Sequence, residues 1–135
     1  MPDLPDPIAI LLVDDEPLIL MDLEFAAEDR GFTPCCASCV KEAMKFIEQG
    51  VDVAVLDFNL VGGENCLPIA RELTKRSIPY IIHSGDADRQ EEVFDMLDAV
   101  YVPKPASSDK VIATALVELR NAENDDDAPT AAAAQ

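Results

Sequence analysis

IAILLVDDEP, residues 8–17, sets six apolar side chains in a row against three acids and a proline. A strand with one wet face alternates polar and apolar residues, whereas a strand covered by helices on both faces stays apolar throughout. The run is also far too short to cross a bilayer. It therefore predicts a buried parallel strand that ends where Asp14 begins. Pro17 suits the first turn of a following helix, and the acids ahead of it favour a positive helix N-terminus.

Outward from this stretch, apolar runs recur at Phe32–Cys36, Val53–Leu56, Pro79–His83 and Ala99–Val102. Helical spacing joins Val40, Ala43, Met44 and Ile47, with Gly50 as the stop. The same spacing joins Leu67, Ala70 and Leu73, then Val93, Met96 and Leu97, then Ile112, Ala115, Leu116 and Leu119. Five short runs alternating with five amphipathic segments predict an α/β fold, a doubly wound parallel sheet with helices on both faces. In such sheets ligands bind at the carboxyl ends of the strands.

The 135 residues suit one domain, expected over 1–120. Residues 121–135 hold four acids, one proline and four consecutive alanines, and read as a disordered tail with fraying helix at its start. A net charge of −17 argues against unaided nucleic-acid binding and against contact with anionic membrane, because both need surplus Lys and Arg. The start MPDLPDP has no basic n-region, so a cytoplasmic location is expected. Cys36 and Cys39 spell C-x-x-C, but a structural zinc would need a second pair or a Cys/His set, and the sole histidine, His83, lies far along the chain. Cys35, Cys36, Cys39 and Cys66 are read as buried or half-exposed thiols.

The residues that close each run carry the chemistry. Asp14, Asp15 and Glu16 follow the first, Asp57 the third, Ser84 and Gly85 the fourth, and Lys104 and Pro105 the fifth. Each alone has an ordinary structural reading as a turn, cap or surface residue. Gathered at one sheet edge, the carboxylates repel, by on the order of 4 kcal/mol per pair at about 4 Å and an effective dielectric near 20. Something positive must compensate: a hard, partly hydrated cation such as Mg²⁺, together with Lys104. Such a group suits phosphoryl transfer, with Asp57 as nucleophile and Ser84 and Lys104 as donors to the phosphoryl oxygens.

LLVDDEP, VLDFNL, IIHSGD and YVPKP, in this order, resemble the receiver domain of bacterial two-component response regulators over about Ile8 to Arg120. The resemblance implies a flavodoxin-like sheet of order 2-1-3-4-5 with five helices. It implies that Asp57 is the phosphoacceptor, and that Asp15, Asp57 and the backbone carbonyl of Asn59 bind Mg²⁺ directly, with Asp14 acting through water. Ser84 and Lys104 would hold the phosphoryl group, the Lys104–Pro105 bond is expected to be cis, and Tyr101 is the switch aromatic that moves with Ser84. The implied partners are a histidine kinase or phosphotransfer protein and a separate effector reading the fourth helix, fifth strand and fifth helix.

Departures from the family pattern are few. His83 stands where the family often carries an aliphatic residue, and alternation turns it away from Ser84. Asn59 and Asp86 match positions that tune the lifetime of the phosphoryl group; polar residues there orient water, or, at Asp86, repel the phosphoryl group, and the direction stays open. The expected function is a stand-alone phosphorylation switch, or else a phosphate sink that drains a kinase, and not an enzyme acting on an external substrate. A Mg²⁺-dependent phosphohydrolase with an aspartyl-phosphate intermediate is disfavoured, because its acid/base Asp would stand where Asn59 is.

Overall fold

The computed structural model describes residues 4–85 and 99–126. Five strands, β1 (Ala9–Val13), β2 (Thr33–Ala37), β3 (Val53–Leu56), β4 (Tyr80–Ser84) and β5 (Val100–Pro103), pair in parallel in the order β2-β1-β3-β4-β5. The helices are α1 (Pro17–Asp29), α2 (Val40–Gln49), α3 (Leu67–Lys75) and α4 (Ser108–Asp126). Four helices are thus described where the sequence predicts five. The segment carrying Val93, Met96 and Leu97 lies outside the described residues, and so does Asp86.

Unbroken apolar strands follow from helices on both sides, because alternate side chains enter different cores. Leu11, Val13, Ala54, Leu56 and Ile82 meet Ala43 and Ile47 of α2 and Ile69 and Leu73 of α3. Ile10, Leu12, Val53, Val55 and Ile81 meet Leu23 and Ala27 of α1 and Ile112, Ala115 and Leu119 of α4. The same alternation separates Cys35 from Cys36, one packed on each core. Ile82 is fully buried at the centre of this layering. Ile82→Ala is expected to cost about 2–5 kcal/mol, read as a lower urea midpoint with an unchanged slope.

β2, β4 and β5 each extend one residue beyond the apolar run that marks them. Hydrogen bonds between backbones, not hydrophobicity, decide where a strand stops; the Lys104 N–H donates to the Ser84 carbonyl at 3.0 Å and keeps the β4–β5 ladder closed past the last buried apolar group. Gly50 closes α2 at φ 105°, a backbone region that side chains disfavour, and its N–H bonds back to Phe46 and Ile47. α4 runs past Arg120 to Asp126, since no Gly or Pro interrupts that stretch. None of the helices among the described residues is long and apolar enough to cross a membrane.

Candidate functional site

Three backbone hydrogen bonds align the strand ends that carry the site. The Asp57 N–H donates to Val13 O at 2.9 Å, the Asp14 N–H to Ala37 O at 3.2 Å, and the Lys104 N–H to Ser84 O at 3.0 Å. With the strands in parallel register, Asp14, Asp57, Ser84 and Lys104 emerge at one edge. The Lys104–Pro105 peptide there is cis.

Lys104 Nζ lies 3.0 Å from Asp14 Oδ2, 3.3 Å from Asp57 Oδ2 and 3.5 Å from Glu16 Oε1. Asp14 and Asp57 are buried, at 1% and 6% exposure. Asp14 is held further by the Glu16 N–H, which donates to its Oδ1 at 2.9 Å. One oxygen from each of Asp14, Asp15, Glu16 and Asp57 fits within a 4.8 Å span, the grouping among the described residues that can hold a metal ion.

Electrostatics show how crowded this is. Burial, then the Asp14 charge, push the Asp57 carboxyl up to about 6 against the pull of Lys104. Burial also raises Asp14, although the Glu16 N–H and Lys104 oppose it. Burial alone would lower Lys104, but its hydrogen bond to Asp14 and the Asp57 and Asp14 charges outweigh that and raise it. A single ammonium therefore leaves the cluster short of positive charge. Carboxylate oxygens at that spacing fit a hard divalent cation such as Mg²⁺.

Ser84 is buried at the end of β4, and its carbonyl accepts a second hydrogen bond, from the Tyr101 hydroxyl at 2.7 Å. Asn59 is exposed two residues past Asp57, bridged to Asn65 and outside the carboxylate group. Glu16 belongs to that group although the sequence reading assigns it no ligand role; its place beside Asp14 and Asp15 in the DDE triplet was the available signal. No cysteine belongs to the carboxylate group, although the Asp57 charge adds to the burial of Cys66. Burial pushes Cys36 up to about 11 and Cys66 to about 12, and it raises Cys35 as well, so these thiols stay protonated at neutral pH.

The profile of the response regulator receiver domain matches residues 10–116. The chain belongs to the receiver domain family. NtrX-like response regulators of Rickettsia bellii and Rickettsia typhi are 33% and 34% identical to it, over 78% and 76% of this chain and 23% of each relative. The chain thus spans about a quarter of the length of these relatives. Among solved structures, SdrG from Sphingomonas melonis Fr1 is 37% identical with a TM-score of 0.71, covering 86% of this chain and 98% of that one. NtrX from Brucella abortus shares the fold at a TM-score of 0.80 and 23% identity, over 90% of this receiver and 29% of that chain.

His83 sits on the face of the sheet opposite Ser84's neighbours Tyr80 and Ile82, as alternation requires. It is 4% exposed, and neither ring nitrogen has a hydrogen-bond partner among the described residues. Burial, with the Lys104 charge, pushes its imidazole down to about 4. The folded receiver thus resists a proton that the unfolded chain accepts near 6.5, so stability present above 6.5 is lost as the pH falls through about 4. His83→Leu is expected to remove that acid loss and to stabilise the protein at neutral pH by about 1–2 kcal/mol, because an unpaired buried polar group is deleted. Urea titrations of both proteins at pH 7.5 and 5 provide the comparison.

Proposed function

We propose that this receiver is a phosphorylation switch that takes a phosphoryl group onto Asp57 from the phosphohistidine of a histidine kinase or phosphotransfer protein. An Asp57 oxygen bonds to phosphorus as the phosphorus–nitrogen bond to the donor imidazole breaks, and the donor ring leaves with the electron pair and takes up a proton. The observation that carries this reading is Lys104 Nζ within 3.3 Å of Asp57 in a carboxylate cluster at the sheet edge whose Asp14 and Asp57 are buried. Mg²⁺ held by Asp14, Asp15, Asp57 and the Asn59 carbonyl would supply positive charge to the transferring oxygens. Lys104 gives an ammonium to one phosphoryl oxygen and Ser84 a hydroxyl to another. Hydrolysis of the acyl phosphate returns Asp57 to its starting state, with Asn59 and Asp86 tuning the rate.

The signal leaves through protein contacts. Tyr101 joins the site to β5, since its hydroxyl is bonded to the carbonyl of Ser84. Drawing Ser84 toward the phosphoryl group changes what that hydroxyl meets, and β5 and α4 present an altered face to an effector protein. Apolar side chains left exposed on these elements, Val100 on β5 and Val117 on α4, suit such a face. No nucleic acid or membrane takes part.

A small donor replaces the kinase in the test. Acetyl phosphate with Mg²⁺ is expected to add the mass of one phosphoryl group to the intact chain, and EDTA to prevent it. A chain that gains no mass, or gains it equally with EDTA, would contradict the proposal.

A further inference from the structure

Beside Lys104, and sharing Glu16 with the acidic cluster, the start of α1, the end of β4 and the β5–α4 turn line an open cavity of about 360 Å³. That is small-ligand size. Its apolar walls are Ile19, Pro105 and Ala106, and its polar groups include the His83 imidazole and the carboxylates of Glu16 and Asp22. Ligand sites commonly combine apolar walls with a few convergent polar groups.

The charge balance says what would enter. Lys104 also lines the cavity, but its ammonium is engaged by Asp14, Asp57 and Glu16. His83 is neutral near pH 7, held so by burial and by Lys104. Around the space stand Asp22, Glu16, which shares Lys104 with Asp14 and Asp57, and a buried imidazole whose ring nitrogens, among the described residues, bond to nothing. An anion would be repelled by the two carboxylates. A cation is attracted by them, its hydrocarbon part finds Ile19, Pro105 and Ala106, and its N–H groups are the complement that the unpartnered imidazole of His83 lacks. We propose that this cavity is a binding site for a small organic cation, an alkylguanidinium or alkylammonium group, received by His83, Asp22 and Glu16. The proposal does not depend on Asp57 being phosphorylated.

His83 is the sole histidine, so its ring C–H signal in the proton NMR spectrum is a unique reporter. Titrating the full chain with n-butylguanidinium at pH 7.5 in Mg²⁺ is expected to move that signal saturably. Butyramide and butyrate, which lack the positive charge, should not move it. Asp22→Asn, a change on the exposed surface of α1, should weaken binding about fivefold, the scale of losing one partly screened charge contact. A tripeptide with a blocked Ala-Arg-Ala sequence separates two sources of the same chemistry. Binding of the free cation alone points to a diffusible ligand, and binding of both to an arginine presented by a protein; either supports the site. No saturable shift with either cation, an equal shift with butyramide, or an unchanged affinity in Asp22→Asn would overturn it.

Discussion

Asp57→Asn raises the melting temperature of the metal-free protein at pH 7.5, and Mg²⁺ stabilises the parent far more than this variant. Both results follow from the cost of ionising Asp57 where it stands. Its carboxyl is raised to about 6 by burial and by Asp14, so the folded chain keeps a proton that an unfolded one releases near 3.8. A group of this kind contributes stability that is fully present below its unfolded value and lost as the pH rises through about 6. At pH 7.5 the loss is on the order of 2–3 kcal/mol, and the amide of Asn avoids it. Asp14, raised in the same direction, steepens the fall. His83 titrates with the opposite sign, so the difference between parent and variant, in which His83 cancels, is the quantity to follow. Thermal scans from pH 4 to 8 should show the two proteins converging toward pH 4, drawing apart up to about pH 6 and keeping a constant difference above it. A metal that binds only the folded carboxylates adds stability by mass action and should flatten the parent's pH dependence. Equal curves for parent and variant would mean that Asp57 is not electrostatically crowded.

Lys104→Ala is expected to do the reverse. Its ammonium lies within 3.5 Å of Asp14, Asp57 and Glu16, and two of these acids are buried. Removing one partner of a buried ion pair leaves the other charge uncompensated, a loss of about 3–5 kcal/mol, against at most 1 kcal/mol for an exposed pair. The metal-free variant should therefore melt well below the parent at pH 7.5 and recover toward pH 5 as the carboxylates take up protons. Adding Asp57→Asn to Lys104→Ala should restore part of the loss, because the second change removes one of the charges that the first exposes. The two effects should then fail to add, as expected for side chains in contact. Strict additivity would show that Lys104 and Asp57 do not share one field.

The layering was legible because apolar periodicity records burial directly. IAILLV has no polar interruption and becomes a strand with a core on each side, and Val40, Ala43 and Ile47 line one face of α2. Strand ends were less legible, since ladder hydrogen bonds carry β4 on to Ser84 and β5 to Pro103 without any apolar signal. The convergence of Asp14, Asp57 and Lys104 could be read from the rule that parallel strands gather their carboxyl ends, and their distances bear it out. What the chain could not disclose was the depth of burial. Nothing in the letters DDE separates a fully buried Asp14 from an exposed Glu16, yet both reach Lys104. The strand position of His83 told which way it points, but not that its ring would border a cavity beside α1, because that depends on how Ile19 and the turn at Pro105 pack.

Borohydride reduction after acetyl phosphate treatment tests the central assignment most directly, because an acyl phosphate on an aspartate is converted to homoserine and the change can be located by peptide mass. The account requires homoserine at position 57 in the Mg²⁺-treated parent and none anywhere in Asp57→Ala. Homoserine at another acid, or a phosphoryl group retained by Asp57→Ala, would contradict it.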